Sequence, residues 1–297
     1  MTIAACYLSS EGVVLGSDST TTIFVPNLTG QGDFHFFNHG QKIYEFGNSG
    51  STVGVVLWGL GSLGEKSYRT LIAEIADEAW HSNLATPEQV VHLARDMFWS
   101  QYTAAFRDAL ARAKELERKG AGCTPEETRE LGNLRQNFSG GFCLAGRWGV
   151  NRSPKAFEFC FNPLLDVAPD PNPLAVGTAK FWGLENLIQR LLYGIDAPLI
   201  DRILGSGKWN GTDEELFQLI REGVLGQSRD LPLREAVDWI YSSIYITIKT
   251  FKFSHLLPLC GGPIEIAVIS SDRSFRWVRH KELGEAITAH RTKEDKV

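Results

Sequence analysis

Apolar residues fill the first sixty positions in short runs broken by turn residues, which is a strand pattern. Ile3 to Leu8 and Val13 to Asp18 flank Ser9-Ser10-Glu11-Gly12, whose polar and glycine content suits a hairpin. A Gly-, Asn- and Phe-containing loop, TGQGDFHFFNHG, then leads to QKIYEF and STVGVVLWG, two further expected strands.

From Ser62 the period changes. Leu63, Tyr68, Leu71, Ile72, Ile75, Ala76 and Ala79 recur at three and four residues and predict an amphipathic helix. Thr86-Pro-Glu-Gln89, Thr124-Pro-Glu-Glu127 and Thr212-Asp-Glu-Glu215 are capping boxes, each predicting a helix start. Proline at the first helical position of the first two has no N–H to leave unpaired. AAFRDALARAKELERKG, between them, carries opposite charges three or four apart and reads as a helix with a solvated face; a partner-binding surface is the alternative. Strands resume at NFSGGFCLAGRWG and KAFEFCFNP. The proline-rich APDPNPLAVGT, helices near 180–193, 212–224 and 233–249, and strands at PIEIAVIS and SFRWVRH follow. This order predicts an α+β plan in one domain spanning 1–297, with a helical insertion around 84–136 and a short C-terminal tail.

Composition narrows the function. A 297-residue chain that is 43% hydrophobic and 22% charged is globular, and its net charge of −5 opposes a role in neutralising nucleic-acid phosphates. Neither an apolar run of membrane-spanning length nor a secretory pattern is visible, so no membrane partner and a cytoplasmic location are expected. The five cysteines are scattered and form no CxxC pair, consistent with reduced thiols. His35 and His39 have no cysteine or carboxylate at ligand spacing and read as surface or lid residues, with no metal expected. GSGKWNGT lacks phosphate-loop spacing, and Leu60 two residues before Ser62 breaks a nucleophile elbow.

Thr2 is the chemically distinctive residue. With Met1 removed it carries an α-amine of pKa about 8 beside its own hydroxyl, a nucleophile and base in one residue. The bland alternative is a β-forming threonine at a strand edge.

The stretch TIA followed by GVVLGSDS resembles the N-terminus of proteasome β-type subunits and the bacterial HslV-type peptidase, which are threonine N-terminal-nucleophile hydrolases. The resemblance implies Thr2 as nucleophile and Asp18 as its partner at the end of the hairpin. In QKIYEF, Lys42 matches the family's Lys-Ile pair and would hold positive charge near the threonine oxygen. In WGLGSLGE, Gly61 would supply the oxyanion amide, with Gly59 and Gly64 as alternative registers. In PLAVGTAKFW, Thr178 would replace the family's serine near the terminal amine; capping a helix after 179 fits it equally. Before Gly261-Gly262, Cys260 stands at the family's serine position and Leu257 at its aspartate, departures that weaken the network.

Several expectations follow from the resemblance. The fold is a four-layer αββα sandwich, two antiparallel sheets flanked by helices. The function is a cofactor-free threonine endopeptidase working through a Thr2 acyl-enzyme on peptides or unfolded proteins. The assembly is a self-compartmentalising stack of homo-oligomeric rings, with an ATP-dependent unfoldase as a further partner. The alternatives are an inactive ring or scaffold subunit and, behind it, a small-substrate amidase of the same superfamily.

Overall fold

The structure is a computed structural model that describes residues 2–26, 32–47, 51–149, 151–224, 230–255, 257 and 259–281. Met1 and the expected C-terminal tail beyond 281 lie outside the described residues.

Along the chain run β1 (Ile3–Leu8), β2 (Gly12–Ser17), β3 (Thr21–Pro26), β4 (Gly32–Phe37), β5 (Ile43–Glu45) and β6 (Val53–Trp58). Four helices follow: α1 (Tyr68–His81), α2 (Pro87–Ala105), α3 (Arg107–Lys119) and α4 (Pro125–Asn137). Then come β7 (Gly140–Gly146), β8 (Lys155–Phe161), β9 (Asn172–Pro173) and β10 (Thr178–Gly183). After these lie α5 (Asn186–Tyr193), α6 (Ala197–Gly205), α7 (Asp213–Glu222), α8 (Leu233–Phe253), β11 (Glu265–Ser270) and β12 (Arg276–Arg279). One antiparallel sheet has the order β10-β1-β2-β11-β12, a second the order β5-β6-β7-β8-β9, and β3 pairs with β4 alone.

The central strands are continuous apolar runs because both of their faces are buried. Ala4, Cys6 and Leu8 of β1 share a cluster with Val56 and Trp58 of β6 and Cys143 of β7. Ile3, Ala5 and Tyr7 turn the other way, onto Ile188 of α5 and Ala236, Ile240 and Ile244 of α8. On the second sheet Val53, Val55 and Leu57 face Ile72, Ile75, Val91 and Phe98 of α1 and α2. A one-residue slip of any of these strands would exchange its two faces, so register is strongly specified. Trp58 and Trp182 stack across the sheets at 4.4 Å and 8°, worth roughly 1 kcal/mol beyond the area they bury. Beside them, buried Glu158 of β8 accepts hydrogen bonds from Asn172 at 3.0 Å, Lys180 at 2.6 Å and the Trp182 indole at 2.5 Å. This carboxylate joins the two sheets at one edge.

The three capping boxes form at Thr86, Thr124 and Thr212. Elsewhere the structure departs from the sequence expectations. TGQGDFHFFNHG is not simply a loop: its middle supplies β4, which pairs with β3. No helix starts near 180. Thr178–Gly183 is an edge strand on β1, and α5 begins at Asn186, because Phe181 and Trp182 must be buried on opposite faces of a strand. Thr178 therefore caps no helix. The first amphipathic helix starts at Tyr68, with Ser67 as its cap, rather than near Ser62. An unexpected helix, α6, is capped by Asp196, whose carboxylate accepts from Leu199 N at 3.2 Å.

Candidate active site

Thr2 stands at the head of β1 and is 7% exposed. Its carbonyl accepts from Leu184 N at 3.0 Å. Its neighbour Ile3 is clamped to Asp18 in both directions, Asp18 N donating to Ile3 O at 3.1 Å and Ile3 N donating to Asp18 Oδ1 at 3.1 Å. The β1–β2 hairpin thus delivers a carboxylate beside the first strand's start.

Asp18 has no exposed surface and is satisfied by four donors. Ile3 N and the Lys42 ammonium, at 2.5 Å, reach Oδ1; Thr20 N at 3.2 Å and Gly261 N at 3.0 Å reach Oδ2. Lys42, itself 4% exposed, gives a second hydrogen bond to Thr20 O at 2.7 Å. Its backbone is held from the adjacent strand, where Leu57 N donates to Lys42 O at 3.0 Å. Burial strips the ammonium of hydration and holds its pKa below the ordinary lysine value; the Asp18 charge and hydrogen bond oppose this without cancelling it.

A cavity of about 320 Å³ opens in front of these groups, and Thr2, Thr21, Thr22, Lys42, Gly59 and Gly61 are among its lining residues. Gly61 has open space where a Cβ would stand, its nearest neighbour Thr21 Cγ2 lying 4.0 Å away. Gly59, one of the alternative registers, is the position where the chain requires glycine: its φ is +84° and a Cβ would come within 2.4 Å of Ser139 O. Both amides lie in the turn from β6 toward α1.

Cys260 is buried beside this network, one residue before the Gly261 amide that binds Asp18. Burial first, and the Asp18 carboxylate second, push its thiol up to about 12, so it stays neutral at ordinary pH. Leu257 is half exposed.

Thr178 is not brought to the site. Ile3 pairs with Gly183 and Leu8 with Thr178, so five strand steps, about 17 Å, separate Thr178 from the Thr2 end of the sheet. Its hydroxyl donates instead to Ala175 O. Gly183 and Leu184 are the β10 residues that meet Thr2, at its carbonyl. Gly183 has φ +84°, and a Cβ there would stand 1.9 Å from Thr2 O, so only glycine lets β10 close on Thr2. The available signal was the glycine just ahead of the helix in FWGLENL, masked by reading the helix as starting at 180. The Gly261 amide was also missed as an Asp18 ligand, for its partner lies 243 residues away in sequence.

No family model and no curated protein matches this chain. Among solved structures, an Anbu (Gly-1) mutant from Hyphomicrobium sp. strain MC1 is similar at 12% identity, covering 100% of this chain and 98% of that chain with a TM-score of 0.48. These findings correct the membership expected from the N-terminal motif: the proteasome β-subunit family has no support at the level of family models or curated relatives. Three matched side chains and some glycines are a small part of 297 residues.

Proposed function

We propose that this protein is a hydrolase of the N-terminal-nucleophile type that cleaves amide bonds through Thr2. The observation that carries the reading is the buried Lys42–Asp18 pair beside Thr2, facing a cavity edged by a glycine turn. With Met1 removed, the Thr2 amine takes the hydroxyl proton and the oxygen attacks the carbonyl carbon of the substrate. The positive charge of Lys42 favours the developing alkoxide, and an amide of the Gly59–Gly61 turn receives the oxyanion. Collapse expels the amine, which takes up the proton, and leaves an ester on Thr2; water then releases the acid. The three apolar clusters, one between the sheets and one on the outer face of each, support reading the fold as a four-layer αββα arrangement in one domain. Peptides as substrates, and a closed homo-oligomeric ring with or without an unfoldase, belong to the same proposal.

A peptide epoxyketone, which reacts with a hydroxyl and a neighbouring amine together, tests this reading. An adduct at Thr2 that disappears in Thr2→Ala is expected, along with an intact mass lacking Met1. A retained Met1, or an adduct indifferent to Thr2, would refute it.

One observation favours a second reading, a catalytically quiet subunit of the same shape. Thr178, the residue expected near the terminal amine, pairs with Leu8 at the far end of β1 and gives its hydroxyl to Ala175 O. Such a protein would keep its fold and self-association and form no Thr2 adduct.

A further inference from the structure

A second cavity, of about 210 Å³, adjoins the one in front of Thr2. Gln41 and Tyr44 line both, so the two share a wall. The charges around them are few. Among the described residues no carboxylate lines the first cavity, and its ammonium, Lys42, is occupied by Asp18 and Thr20 O. The second is lined by Glu45, which accepts from Ser51 N at 3.0 Å, and by Arg69 at the start of α1.

Arg69 is the charge left over. Its Nη2 donates to Gln41 Oε1, and its guanidinium lies 5.8 Å over the Tyr44 ring. It forms no ion pair with a carboxylate among the described residues. Both neighbours are neutral: Gln41 is an amide, and burial pushes the Tyr44 phenol up to about 12. Arg69 is exposed and lines the second cavity, presenting a planar fork of N–H donors, one of them given to Gln41, that matches a carboxylate. Trp277 and Ile72 add apolar surface alongside.

We infer that Arg69 recognises a carboxylate on the substrate, and that the Thr2 site takes acyl groups bearing a negative charge. This rests on Thr2 as the nucleophile, so the test separates the two. Turnover is measured on the full chain with acetyl-Leu-Glu-aminomethylcoumarin and its neutral isostere acetyl-Leu-Gln-aminomethylcoumarin. Binding of acetyl-Leu-Glu-amide and acetyl-Leu-Gln-amide to Thr2→Ala is measured by calorimetry, with no catalysis involved. A charge-assisted pair predicts about a ten- to hundredfold preference for glutamate in KM and in Kd, with kcat little changed. Arg69→Met should erase the preference and Arg69→Lys retain part of it. Glutamate-selective binding without turnover of either coumarin would leave the carboxylate site standing and remove the nucleophile. Turnover without a glutamate preference, or a preference that survives Arg69→Met, would overturn the carboxylate site and keep the hydrolase. Absence of both binding and turnover would overturn both.

Discussion

Asp18→Asn removes one charge at a fully enclosed position and leaves the side-chain shape almost unchanged. Four donors converge on the carboxylate, and asparagine offers one oxygen, so two of them will confront its NH₂ group. If the oxygen stays with Ile3 N and Lys42, then Thr20 N and Gly261 N are orphaned. The Lys42 ammonium keeps only the Thr20 carbonyl as a strong acceptor. Breaking a buried pair in this way costs about 3–5 kcal/mol. An upper limit comes from the lysine itself: neutralising a group of ordinary pKa 10.5 at pH 7 costs about 5 kcal/mol, at about 1.4 kcal/mol per pH unit. The expected loss of 3–5 kcal/mol is a large share of the roughly 5–15 kcal/mol by which domains are stable. Its pH dependence is diagnostic. In the variant the folded state holds Lys42 neutral while the unfolded chain binds its proton below pH 10.5, so stability rises with pH across that window and the deficit shrinks from pH 7 to pH 9.5. Urea unfolding followed by circular dichroism and tryptophan fluorescence at several pH values measures this, coincident transitions licensing a two-state treatment. Asp18→Asn with Lys42→Met should recover part of the loss. A deficit below about 1 kcal/mol, or one equal at pH 7 and pH 9.5, would show that the pair is not the buried, mutually dependent unit described.

Other expectations follow from the same geometry. Gly183→Ala places a Cβ on the Thr2 carbonyl at a left-handed φ; a loss of about 2–4 kcal/mol in urea unfolding and reduced epoxyketone labelling are expected. Gly132→Ala lies within α4 with nothing near its Cβ, and should raise stability by about 0.5–1 kcal/mol without altering labelling. At Glu158 burial favours the neutral acid, but hydrogen bonds from Lys180, Trp182 and Asn172 outweigh it and hold the pKa below the ordinary 4.5. The stabilisation is therefore complete above pH 4.5 and drains away as the pH falls through the depressed folded value. Glu158→Gln should cost about 1–3 kcal/mol at pH 7 and flatten that part of the acid limb, as read from urea midpoints between pH 7 and pH 3.

What the chain determined by itself is what its neighbours in sequence decide. Apolar runs around a Ser-Ser-Glu-Gly turn specify the β1–β2 hairpin, and a hairpin carries Asp18 back to the start of β1 whatever the rest of the molecule does. Three threonines each followed three residues later by Glu or Gln define three helix starts for the same local reason. Tertiary structure alone decided the partner at the Thr2 carbonyl. Whether Thr178–Gly183 is a helical turn or a strand depends on β1, about 175 residues earlier in the chain, offering it a free edge and on Phe181 and Trp182 finding opposite faces to fill. That pairing puts Gly183 against Thr2 and carries Thr178 to the far end of the sheet. The same holds for the Gly261 amide on Asp18 and for Arg69 over Tyr44. Periodicity tells which way a side chain faces; what it meets there is a property of the packed molecule, since pairing across long separations is selected by burial and register together.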